Sequence, residues 1–234
     1  MDHYDSTMKR ALLFVSLLLF ADASYATTVI LGQPCADPAV QNSRSVELKK
    51  ILESDQADRD WLKNLTPGER PAQKLLDSMN RNDLRRRMRV GEIFGEGCLK
   101  SAADYNSAFF VYQHGNTSGH YFQAFIWAKE SLNLGNPNVK GEVAMAVDRY
   151  LVSTGRQQLF GTQASQTKAS TCFCIEPIEA SFPETMRTEY RGGGNAAYTG
   201  LEYLKTLNKG LNCIDSYCQT NLRPSPKGSV PGFW

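Results

Sequence analysis

Histidine is scarce in this chain of 234 residues: there are 3, and His3 falls in a segment read below as a leader. A centre built on several imidazoles therefore has no source of ligands. His114 and His120 flank one loop, and their spacing matches no zinc signature, so no metal site is expected. A phosphate-cradling loop is also missing, because Gly192, Gly193 and Gly194 after Arg191 lack the strand-turn-helix context that such loops need. No nucleotide or redox cofactor is implied. Charge of one sign is not in excess: 26 Lys and Arg stand against 24 Asp and Glu, a net +2. That balance argues against a nucleic-acid partner, which a basic face and a high isoelectric point would announce. The arginine-rich run Arg81–Arg89 has no aromatic residue on which bases could stack, and it reads as a solvated face with one or two inward arginines able to meet Asp55 or Asp58. Beyond residue 20 no apolar stretch is long enough to span a bilayer, so no stable membrane span is expected once the leader is removed.

What is present begins with that leader. Lys9-Arg10 runs into the apolar block Ala11–Phe20, and small residues follow, with Ser24 and Ala26 placing a cut before Thr27. Residues 1–26 therefore read as a signal peptide, although Asp2 and Asp5 suit a start at Met8 better than one at Met1. Cleavage removes three acids and two bases and moves the net charge from +2 to +3. All 6 cysteines lie beyond the cut. An even number in an exported chain predicts disulfides and a periplasmic or secreted location. Cys172 and Cys174 share one face of a strand and cannot bridge each other, so they are expected to pair with Cys213 and Cys218, leaving Cys35 for Cys98. A four-thiolate zinc site is the rival arrangement, but Cys-x-Cys is closer than the usual spacing of structural zinc pairs.

Residues 27–44 show no helical period and read as an irregular lead-in. A helical domain is expected over 45–212, its first helix capped by Asn42 or Ser45 and carrying Leu48, Ile51, Leu52 and Leu62 on one stripe. Asp55 and Arg59 fall on the same stripe, four residues apart, and can pair there. Pro71 suits the first turn of a second helix, whose stripe runs through Leu75, Leu76, Met79 and Val90 and whose Asp83 can pair with Arg87.

Three central helices follow. Ser101 and Asp104 form a capping-box pattern, and Tyr105, Ala108, Phe109 and Tyr112 make a stripe that Gly115 ends. Tyr121, Ala124, Phe125, Ala128 and Leu132 recur at helical spacing, and Gly135-Asn136-Pro137 then stops one helix and starts the next, with Val139, Val143, Ala146, Val147 and Tyr150. Helix starts near 101, 119 and 138 lie about eighteen residues apart, so two make a unit near the mid-thirties period of tetratricopeptide-type repeats. Tyr121–Gly135 resembles the packing helix of Sel1-like repeats. The fold class expected is mainly α: a compact helical bundle with tetratricopeptide-like antiparallel packing and a small β-hairpin. The hairpin pairs Gln157–Gln163 with Thr171–Ile175, within 157–176. Ser181 and Pro183 open a short helix, Ala196–Leu207 forms the last, and residues 213–234 read as a Cys-containing tail rich in Pro, Gly and Ser that is loosely held after Gln219.

Asp55-Gln56-x-Asp58-Arg59, Asp104-Tyr105, Gln113-His114-Gly115, Asp148-Arg149 and Gln157-x3-Gly161-Thr162-Gln163, followed by Pro177-Ile178-Glu179 and Arg187, occur in this order between about 45 and 190. In that combination the chain resembles a bacterial domain of unknown function. The resemblance implies one shared centre for these polar residues and a bacterial source, and it implies no activity.

Asp55, Arg59, Tyr105, Gln113, Arg149, Gln157 and Gln163 are accordingly the candidate binding residues. The first expectation is a module of the bacterial envelope that binds a peptide or another envelope protein. The alternative is a small hydrolase in which His114, the side chain that titrates nearest neutrality, is oriented by Asp104 or Asp148, with Ser118 or Thr162 as nucleophile. The two readings diverge on geometry. Acids converging with His114 on an open cavity favour the enzyme, whereas acids used up in buried pairs favour the binding module.

Overall fold

The computed structural model describes residues 34–66, 69–166, 171–190 and 200–234. The expected leader lies outside the described residues, as do positions 27–33 of the lead-in, Pro67-Gly68, the glycines at 192–194 and the residues before Gly200 of the last expected helix.

The first helix, α1 (Pro38–Ala57), starts before Asn42 and Ser45, so the irregular lead-in does not extend to residue 44. Asp37 caps it by accepting from the Ala39 amide at 2.7 Å, and Pro38, which lacks an amide hydrogen, fills the first turn without loss. Its first two turns are largely exposed and polar, which hides their helical period in the sequence. The Cys35–Cys98 disulfide fastens the turn before α1 to the chain just after α2 (Gln73–Gly95). Leu48 and Asp55 are the buried residues of α1, and Leu62, beyond its end in the turn Asp60–Asn64, is 45% exposed. On α2 the inward face is Asp83, Arg86, Arg87, Val90 and Ile93, whereas Leu75 is exposed.

Helix α3 (Ala102–Gln113) opens on the expected capping box. The Ser101 hydroxyl accepts from the Asp104 amide at 3.1 Å, and the Asp104 carboxylate accepts from the Ser101 amide at 2.9 Å. Helix α4 (Ser118–Asn133) packs between α3 and α5 (Lys140–Ser153). Ala108, Ala124 and Ala128 are fully buried and let these helices approach, while Phe109, Phe125, Val143, Val147 and Leu151 fill the space around them.

The hairpin is small and lies later in the chain than Gln157–Gln163. Strand β1 (Ala164–Gln166) pairs antiparallel with β2 (Phe173–Ile175), Ala164 facing Ile175. Residues 157–163 instead form a loop bound to α5, for a reason given below. After α6 (Glu184–Glu189) and α7 (Leu201–Leu207), the Cys172–Cys213 and Cys174–Cys218 disulfides fasten β2 to the chain beyond α7. Cys35–Cys98 is the pair expected, and Cys172 and Cys174 take their partners from the expected set, Cys213 and Cys218, whose order the sequence left open.

The residues after Gln219 are not loosely held. Arg156 and Arg223 form an isolated bridge, in which the Gln157 amide donates to the Arg223 carbonyl at 2.8 Å and the Arg223 amide to the Gly155 carbonyl at 3.0 Å. Val230 is buried, and Phe233 packs on Phe125, Phe160 and Tyr190. Among the described residues no helix is long and apolar enough to cross a membrane.

Candidate functional site

The end of α1, the middle of α2 and the end of α3 meet over a network of ionised side chains. Asp55 is fully buried and accepts from Arg59 Nη1 at 3.0 Å and from Gln56 Nε2 at 2.9 Å. Arg59 Nη2 also donates to Asp83 at 2.7 Å, and Arg86 donates to Asp83 at 2.6 Å and to Asp58 at 2.9 Å. The inward arginines foreseen on α2 are thus Arg86 and Arg87, but Asp83 pairs with Arg86 and Arg59 rather than with Arg87. Arg87 instead donates to the His114 carbonyl at 3.0 Å, occupying an acceptor at the end of α3. Burial works against ionisation of Asp58, yet hydrogen bonds from Asn82 and Arg86 prevail and hold its carboxyl below the ordinary value.

His114 joins this network through Nδ1, 2.8 Å from Asp55 Oδ2. A carboxylate between guanidinium groups acts as an acceptor, so Nδ1 is the donor in this bond and Nε2 is left outside it. Neither acid expected to orient the histidine does so. Asp104 is spent in the capping box, about 15 Å of helix away at the other end of α3. Asp148 is fully buried, and both its oxygens are saturated. One accepts from the Leu159 and Phe160 amides at 2.7 and 3.0 Å, the other from the Thr162 amide and hydroxyl at 2.9 and 2.8 Å. Burial pushes this carboxyl up from its ordinary value, but four donors and no acceptor around it hold the carboxylate form. Those four bonds explain why 159–162 wraps α5 instead of pairing as a strand.

Arg149, the next residue on α5, reaches across to α3. Its Nη1 donates to the Gln113 carbonyl at 2.7 Å and its Nε to Gln163 Oε1 at 3.1 Å. Among the described residues no carboxylate pairs with it. Burial pushes its guanidinium below the ordinary value, with nearby Tyr121 and Tyr203 opposing the shift and Arg59 adding to it. Around Arg149 lies a cleft of about 180 Å³. Gln56, Gln113, His114, Thr162 and Gln163 supply its polar wall, and Phe110, Met145 and Tyr203 supply the rest. No acid is among these lining residues. Gln113 is 3% exposed, and its Oε1 has no hydrogen-bond partner.

The structure therefore brings Gln113, His114, Arg149 and Gln163 to one cleft, with Asp55 and Arg59 directly behind it. Tyr105 is not part of it; it packs half-buried against the helical core from the first turn of α3. Gln157 is not part of it either, because it is tied through its backbone to residues 223–225. Its neighbour Gln158 has the structural role, bonding through its side chain to the Gln163 amide and carbonyl and to the Glu176 carbonyl at 2.8, 3.0 and 2.6 Å. Thr162 is no free nucleophile, because its hydroxyl donates to Asp148 and accepts from Gln163 Nε2 at 3.0 Å. Ser118 opens α4 and does not line the cleft.

Phe110, Met145 and Tyr203 were not foreseen as cleft residues, since apolar side chains on helices read as core. Gln56 carried a signal, being adjacent to Asp55 within the motif. Among the described residues, no three of His, Cys, Asp and Glu gather as a metal would require. Set against family models, curated proteins and solved structures, the chain matches none of them.

Proposed function

We propose that the chain is an exported binding module of the bacterial envelope that receives part of a peptide or of another envelope protein in the cleft between α3 and α5. The carrying observation is the composition of that cleft: Gln56, Gln113, His114, Arg149 and Gln163 line it, and among the described residues it has no acid in its wall. Asp55, Asp58, Asp83, Asp104 and Asp148 are all committed to internal partners, the outcome set out above as favouring binding. Three disulfides support an oxidising compartment, and the Lys9–Ala26 leader supports delivery there. The bacterial setting rests on the motif resemblance.

Selection from a random peptide library against the oxidised chain tests this reading. Enriched peptides are expected, and Met145→Trp, which fills the cleft, is expected to lose them at an unchanged melting temperature. Failure to enrich any peptide, or equal binding by a folded Met145→Trp variant, counts against the module.

A second reading rests on the Asp55–His114 pair, which orients the imidazole through Nδ1 and leaves Nε2 outside that bond, where a general base would act. With Thr162 committed, such an enzyme would use water as nucleophile. Turnover of chromogenic esters or amides that His114→Gln removes without altering stability would favour it.

A further inference from the structure

We infer that the cleft is a carboxylate site, in which Arg149 holds the anion and Gln113 Oε1 accepts a hydrogen bond from a donor one or two bonds away from it. The ligand class is an acid with an adjacent N–H: the free carboxyl end of a peptide, or a free amino acid. This deepens the reading of the cleft as a peptide site and rests on it.

Two independent observations meet here. Arg149 uses Nε and Nη1 on neutral acceptors, Gln163 Oε1 and the Gln113 carbonyl, and among the described residues Nη2 donates to nothing. A largely buried guanidinium with neutral partners keeps an uncompensated charge, which an incoming anion neutralises. Burial already weighs against that charge, as the lowered guanidinium value shows. Separately, Gln113 Oε1 is a buried acceptor with no donor among the described residues. Native interiors leave few such atoms; Gln113 is a lining residue of the cleft, and a ligand there that supplies the donor explains its orphaned oxygen. The two features are neighbours by construction, since Arg149 is bonded to the backbone of Gln113 itself at 2.7 Å.

Size narrows the class. The cleft holds about 180 Å³, and an apolar cavity of about 150 Å³ takes one benzene ring. A single terminal residue is therefore the right scale, its side chain against Phe110, Met145 and Tyr203. The absence of lining acids removes the repulsion that would otherwise oppose a carboxylate.

The test uses the intact, oxidised chain and four probes: a random tetrapeptide library with free carboxyl ends, the same library amidated, alanine, and inorganic phosphate. Binding is read by calorimetry and by melting temperature, for the wild type, for Arg149→Met and for Gln113→Leu. Gln113→Leu removes an orphaned acceptor and breaks no side-chain hydrogen bond to another described residue, so it is expected to fold even where Arg149→Met does not. The expected result is binding of the free-acid library that weakens about tenfold or more on amidation and again in Gln113→Leu. Alanine binding with neither library binding upholds the carboxylate site and assigns it to a free acid, against the peptide reading. Equal binding of the two libraries overturns the carboxylate inference and leaves the peptide reading standing. Phosphate binding alone, or no binding of any probe, overturns both.

Discussion

Asp148 accepts four hydrogen bonds from a single loop, and it shows what one buried residue can determine. The amides of Leu159, Phe160 and Thr162 would each be stranded without it, because the loop forms no ladder that could receive them. Asp148→Asn turns an amide donor toward those donors and is expected to destabilise the fold by about 3 kcal/mol, measured by urea unfolding. The same variant should loosen Gln163 and Thr162 and so weaken any cleft ligand. That Asp148 belongs with the other polar residues could be read from the motif it forms with Arg149. Its partners could not, because backbone amides leave no mark in sequence spacing. The Asp55–Arg59 pair was legible for the opposite reason, as its four-residue separation is itself the helical signal. Asp83 met Arg86 instead of Arg87 because separations of three and four place both arginines near it, and only the position of α1 decides between them.

At the scale of elements, the legible signals were those with a local chemical cause. The Ser101–Asp104 capping box stands where it was read, since each side chain satisfies an amide that the helix itself leaves free. Ser101→Ala is expected to cost about 1 kcal/mol, with thermal unfolding as the readout; a shift within error would mean that neighbouring groups satisfy the Asp104 amide. The start of α1 was misplaced despite an equally good signal, Asp37-Pro38, because its exposed polar turns carry no apolar period to extend the helix back to it. The strand assigned to Gln157–Gln163 failed for a tertiary reason. A β-prone segment with Asp148 beneath it gains more from four bonds to a buried carboxylate than from pairing across a short hairpin, so pairing begins only at Ala164. The shape of the cleft was hidden in the same way, since it is formed where four helices, α1, α3, α5 and α7, converge with this loop.

Across the whole molecule, the carboxylates divide into two classes that answer pH in opposite directions. Glu47 is held below its ordinary value chiefly by hydrogen bonding from Arg89. Glu179 is also held down: burial opposes this, but the amides of Ser181 and Ser225 and the Ser181 hydroxyl outweigh it. With Asp58, these groups stabilise the fold above the ordinary carboxylate range, and that stability is lost as pH falls through their lowered values. Glu142 is the reverse case. It lies largely buried at the start of α5 with Oε2 unpartnered, and burial pushes it up. A raised acid contributes stability that is full below its ordinary value and is lost as pH rises through the raised one. Glu142→Gln should therefore raise the melting temperature at pH 7, by a few degrees at most for a domain of this size. The advantage should shrink on acidification and vanish once both carboxyls, folded and unfolded, are protonated. Melting curves of the two proteins between pH 7 and pH 3 give the answer: wild type alone should show a component that improves as acid is added, set against the loss from Glu47, Asp58 and Glu179 common to both. Parallel curves with a constant offset would mean that Glu142 has found a proton-independent partner, and that its burial carries no charge penalty.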